Sequence, residues 1–110
     1  MQDPTDYSAN MGVIAWLAPV FRVRVIGPSM EPTLENGQIC FAVKGHLLAR
    51  AGAIAVFTHP SRPTLVEVKR LVYKTNGRWW VAGDNESAST DSRDFGAIEL
   101  ISIKGILLKK

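Results

Sequence analysis

The sequence predicts an all-β domain, a small mixed β-sheet or barrel core preceded by a short N-terminal helix. Two patterns carry the prediction. Phe21-Arg22-Val23-Arg24-Val25 and Leu65-Val66-Glu67-Val68-Lys69-Arg70-Leu71-Val72 follow the period of two that buries one face of a strand. Asn36-Gly37 and Asn76-Gly77 supply residues that tolerate the positive φ needed at both central positions of a type I′ turn. A third observation removes the competitors, since the chain shows no internal repeat, low-complexity tract or heptad pattern. With 110 residues, 46% of them hydrophobic, it has the length and apolar content for one core.

Taken in order, residues 1–22 form an N-terminal segment and residues 23–110 the domain proper. The apolar run over residues 11–21 is shorter than the roughly 20 residues that cross a bilayer. Asp3 and Asp6 stand where a secretory signal carries positive charge, and Pro19 discourages further helix. The expectation is a short helix, opened by Ser8 or Asn10, that covers the core. The alternative is peripheral contact with a membrane, with Trp16 at the headgroups and Arg22 and Arg24 beyond it. Strands are expected over residues 21–25, 38–43 and 52–57. A loop over residues 58–63 follows, its prolines excluding regular pairing. Residues 66–74 and 78–82 then form a hairpin closed by Asn76-Gly77. A polar loop spans residues 83–96, and residues 98–108 supply a final strand or two.

Charge and cysteine content exclude several classes. Thirteen basic and ten acidic residues leave only +3, with no basic-aromatic stripe or recognition helix, so nucleic acid is not an expected partner. Cys40 is the single cysteine and lies in the apolar run Ile39-Cys40-Phe41-Ala42-Val43. It reads as a buried thiol and leaves no intrachain disulfide. His46 and His59 are isolated. No metal site and no cofactor are expected.

Chemistry concentrates in three places. Ser29 sits in Val25-Ile26-Gly27-Pro28-Ser29-Met30-Glu31-Pro32-Thr33-Leu34, where the exit of a strand meets turn-forming residues and presents a hydroxyl clear of the core. No Ser-His-Asp arrangement accompanies it, and Lys69 is the more promising base. A lysine serves that role only where desolvation favours the neutral amine. Leu65 and Leu71, on the same strand face, offer such shielding, whereas Glu67 on that face favours the charged form. Taken alone, Lys69 reads as a solvated strand lysine. The third place is the loop over residues 83–96, rich in small polar side chains that bond locally to backbone. A hydroxyl from it could orient the lysine amine, and Asp91 and Arg93 could pair to hold its shape.

Together these segments resemble the boxes of the type I signal peptidases. Gly27-Pro28-Ser29-Met30-Glu31-Pro32-Thr33-Leu34, Val68-Lys69-Arg70, and Gly83-Asp84-Asn85 through Ser89, Asp91-Ser92-Arg93 and Gly96 occur in the family's order. The resemblance implies a signal-peptidase-like β-core and a serine endopeptidase that removes N-terminal leaders or propeptides from protein substrates. It implies Ser29 as nucleophile, Lys69 as general base, Ser89 as the hydroxyl that orients the lysine, and the Ser29 backbone N–H as oxyanion donor. Asp84, Asp91 and Arg93 would support the loop. Ile26, Met30 and Leu71 are candidates for the shallow apolar pockets that take small residues before the cleavage point. Gly27 offers no side-chain donor to the oxyanion.

The chain departs from that family in two respects. The usual long transmembrane anchor does not appear, and no inserted second β-domain separates Lys69-Arg70 from Trp79-Trp80. The compact form is similar to the maturation proteases of nickel-type superoxide dismutase, which remove a short propeptide. Location is expected in the cytoplasm or peripherally at the inner face of the membrane, the alternative being a membrane-anchored protein with its site outside. The alternative within the family is a general small signal peptidase that processes secretory preproteins at the membrane. Two competing classes remain: an inactive β-module that binds extended peptides, and a self-cleaving protease of the SOS-repressor type. The absence of a DNA-binding domain before Ser29 counts against the latter.

Overall fold

The computed structural model describes residues 19–108. The helix expected over residues 11–21 therefore lies almost wholly outside the described residues. Seven strands follow in chain order: β1 (Val20–Arg24), β2 (Ile39–Lys44), β3 (Ile54–His59), β4 (Arg62–Thr75), β5 (Arg78–Ala82), β6 (Ile98–Glu99) and β7 (Ile103–Leu107). One short helix, α1 (Ser92–Phe95), lies between β5 and β6. The all-β class holds. The strands join in one sheet, ordered β1-β2-β7-β3-β4-β5-β6, with every neighbouring pair antiparallel. The small β-core expected from the sequence is this one continuous sheet.

Alternation along the strands explains why the sheet carries an apolar cluster on each face. Val23, Val25, Cys40, Ala42, Ile54, Val56 and Leu107 gather with Met30 and Leu34 on one side. Ala55, Phe57, Leu71, Trp79, Val81, Ile98, Ile103 and Ile106 gather on the other. Neighbouring residues Ile54, Ala55, Val56 and Phe57 thus divide between the two clusters, and β3 is buried on both faces. Each fully buried large side chain contributes roughly 1.5–3 kcal/mol through apolar burial.

Two turn expectations change. Asn76 and Gly77 both adopt positive φ, 50° and 77°, as a two-residue turn between β4 and β5 requires. At Asn36-Gly37 only the glycine does, because Asn36 serves another purpose: its side chain accepts the Gly27 N–H at 2.8 Å. The loop expected over residues 58–63 is shorter than its prolines suggest. Pairing resumes at His59 with Arg62, across a register shift after Thr58. That irregularity lets Pro63 lie within β4, where a regular ladder would need its missing N–H.

Candidate active site

Strand order leaves two edges unpaired where Ser29 and Lys69 lie. Strand β1 is the border of the sheet and pairs only with β2. The first half of β4 pairs with β3 alone, because its pairing with β5 begins at Arg70. A groove of about 540 Å³ runs between these edges. Residues from Phe21 to Met30 line one side, Leu65 to Lys69 the other, with Ala88 and Thr90 at the loop end.

Ser29 and Lys69 both line this groove. The serine segment is anchored from below by Met30 and Leu34, 1% and 0% exposed, joined by a Leu34 N–H bond of 2.8 Å to the Met30 carbonyl. With those side chains turned into the core, Ser29 stays half-buried at the groove wall. Among the described residues nothing accepts from the Ser29 N–H. Lys69 is 4% exposed, opposite Ala55 on β3, and its amine lies 3.6 Å from the Glu67 carboxylate. Ile26 and Met30 line the groove, as does Val68, but Leu71 does not: it is fully buried in the other cluster.

The loop after β5 clamps the serine segment. The Asn85 N–H donates to the Ser29 carbonyl at 2.8 Å, the Asn85 amide to the Pro28 carbonyl at 3.1 Å, and the Asp84 N–H to the Met30 sulfur at 3.4 Å. Gly83 has no room for a side chain. A β-carbon there would overlap the Ser89 hydroxyl and stand 2.7 Å from the Ser29 carbonyl oxygen. Ser89 thus packs beside the backbone of Ser29, although its own side chain does not line the groove. Its hydroxyl donates to Asp91 at 3.3 Å.

Two carboxylates hold this assembly. Asp84 accepts from Arg70 at 2.9 and 2.6 Å and from the Thr33 hydroxyl at 2.6 Å. Arg70 in turn donates to the Gly52 carbonyl at 2.7 Å. Asp91, 1% exposed, caps α1 through the Arg93 N–H and also accepts from the Gly83 N–H and the Arg93 guanidinium. Arg70, Thr33 and Asn85 are positioning residues that sequence reasoning left without a role. The adjacency of Arg70 to Lys69 and of Asn85 to Asp84 was the available signal.

The same bonds make stability depend on pH. Hydrogen bonds from Arg70 hold the Asp84 carboxyl below the usual range against burial, with Thr33 assisting. Burial pushes Asp91 up, but bonds from the Arg93 side chain and N–H and the Gly83 N–H outweigh it, and the net direction is down. Both groups are therefore more acidic folded than unfolded, where an aspartate titrates near about 3.9. Their stabilisation is present above that value and drains as pH falls through the folded values. The thermal midpoint should hold steady from about pH 7 to 5 and fall steeply below about pH 4. Asp84→Asn should flatten that fall, and an unchanged slope would refute the assignment.

Comparison with known proteins gives the arrangement a family. The Peptidase S24-like family model matches residues 6–108. The chain belongs to that family. Its curated relatives include the mitochondrial inner membrane protease subunit 1 of Mus musculus and of Homo sapiens, each 32% identical over 130 residues, covering 94% of this chain and 78% of the relative. The Xenopus tropicalis protein of the same name is 30% identical over 125 residues, covering 90% and 75%. A signal-peptidase-like family and protease function follow for this family member. Among its described residues no helix is long and apolar enough to cross a membrane.

Proposed function

We propose that this protein is a serine endopeptidase that removes N-terminal leaders or propeptides, with Ser29 as nucleophile and Lys69 as general base. The observation that carries the reading is a single groove, bounded by two unpaired strand edges, that holds both side chains. An extended peptide can add to such edges through its main chain, while pockets for alternate side chains set specificity. Val23, Val25, Met30, Val56 and Val68 supply the apolar surface for small residues before the scissile bond.

In this mechanism Ser29 Oγ attacks the scissile carbonyl carbon as its proton passes to the Lys69 amine. The Ser29 N–H donates to the oxyanion, a single backbone donor, since Gly27 carries no hydroxyl. Collapse breaks the peptide bond, and Lys69 returns the proton to the leaving amine. Lys69 then takes a proton from the water that hydrolyses the acyl-enzyme. Ser89, fixed by Asp91, orients the lysine. The inner-membrane protease named in the relatives supports action at a membrane surface.

A second reading narrows the substrate to the propeptide of nickel superoxide dismutase. The direct β4–β5 hairpin, with no domain inserted between Arg70 and Trp79-Trp80, favours it. The test is incubation of the full chain with a leader-bearing secretory precursor and with a nickel superoxide dismutase precursor, reading new N-termini by mass spectrometry. Cleavage after a small residue in either supports the peptidase, and the preferred precursor selects the substrate. Binding without cleavage would leave an inactive peptide-binding module.

A further inference from the structure

The groove does not end beside Leu65. It continues over Phe21, Val56 and Val66, which also line a second depression of about 590 Å³ completed by Pro19, Val20, Lys44 and Lys104. Strand β7 both seats the Phe21 ring and charges this depression. Gly105 has no side chain, and the Phe21 ring fills the space, coming within 2.6 Å of where a β-carbon would stand. Register between β3 and β7 slips, so that Val56 faces Gly105 while Phe57 faces Ile103. Lys104 is the extra residue, and such bulges re-aim a side chain. It thereby shares a cavity wall with Lys44, the residue that faces Gly105 on β2. Like charges on adjoining strands repel. Among the described residues, no carboxylate forms an ion pair with either amine.

We propose that this second depression is a remote substrate subsite that takes an apolar side chain over Phe21 and Val56 and an acidic side chain between Lys44 and Lys104. The proposal rests on the peptidase reading and extends it to substrate choice. Continuity with the Ser29 groove makes the bound peptide the natural occupant, and a pair of ammonium groups with no ion-paired carboxylate among the described residues sets the sign of charge it carries. Val66 lies three residues along β4 from Lys69, about 10 Å at strand spacing. The acidic residue, beyond Val66, therefore falls more than about three residues before the scissile bond. Preferred leaders are those with an acidic residue there and an apolar one between it and the cleavage point.

Two peptides that differ only in Glu or Lys at this stretch test the proposal, the readout being their ratio of kcat/KM within one enzyme. A general loss in a variant cancels in that ratio. The wild type should favour the Glu peptide about three- to five-fold, the upper part of the range for exposed charge pairs, and less as salt rises. The charge-reversed double variant Lys44→Glu with Lys104→Glu should favour the Lys peptide. A wild-type ratio near one, or the same ratio in both proteins, overturns the subsite. Should neither peptide be cut, the peptidase reading fails on its own, and fluorescence anisotropy of both peptides decides the subsite. Tighter binding of the Glu peptide to wild type upholds it, and equal binding overturns it. A double variant that keeps the wild-type ratio but no longer binds phosphatidylglycerol vesicles assigns the lysines to a lipid surface and also overturns the proposal.

Discussion

Replacing Ser29 with alanine is expected to lower kcat for precursor cleavage by about 10⁴-fold or more, the scale seen when an activated nucleophile is removed. The substitution deletes one oxygen and little else. Both backbone features of the site survive: the carbonyl that accepts from the Asn85 N–H and the N–H proposed as the oxyanion donor. Met30 and Leu34 still anchor the segment. Stability should therefore stay within about 0.5 kcal/mol, as for substitutions that break no buried contact. Peptide affinity should also persist, since the strand edges and apolar pockets are untouched. The measurements are initial rates, thermal denaturation and titration with uncut precursor. A variant that still cleaves at about a tenth of the wild-type rate would remove Ser29 as nucleophile; one that unfolds would assign it a structural role instead.

The parts of this site differ in how far the sequence discloses them. Strand β5 has the bounds its alternation and the Asn76-Gly77 turn predict. Local pattern suffices there, because each signal concerns residues one or two apart. The face shared by Lys69 and Leu71 would, at the same period, carry Tyr73 inward as well, and it does not. The register with β5 slips between Leu71 and Tyr73, so Leu71 enters the core while Tyr73 stacks on Trp80 in the open. A bulge costs one residue of register and leaves no mark in composition. The clamp on Ser29 is harder still to read. Thr33 meets Asp84 across 51 positions, and Asn85 meets Pro28 across 57. No periodicity reports contacts at that separation. Only the resemblance of three segments to one family pointed to their meeting.

Lys69→Met should abolish cleavage as thoroughly as the serine change, while its effect on stability depends on a neighbour. Methionine fills nearly the same space and adapts to an irregular site, so packing against Ala55 and the core is retained. What it strands is Glu67, whose side chain is 18% exposed and loses the cation 3.6 Å away. Because Glu67 lines an open groove, water screens part of that loss, and the cost should be about 1 kcal/mol, short of the larger penalty for a fully buried pair. The double variant Lys69→Met with Glu67→Gln removes the stranded charge and should recover most of that stability. It should recover no activity, since no amine remains to take the Ser29 proton. Thermal denaturation and precursor cleavage on the two variants separate these effects. Activity surviving in Lys69→Met would eliminate the lysine as base. Activity returning in the double variant would trace the loss to the carboxylate's displacement, because a base that is still missing cannot be restored by neutralising its neighbour.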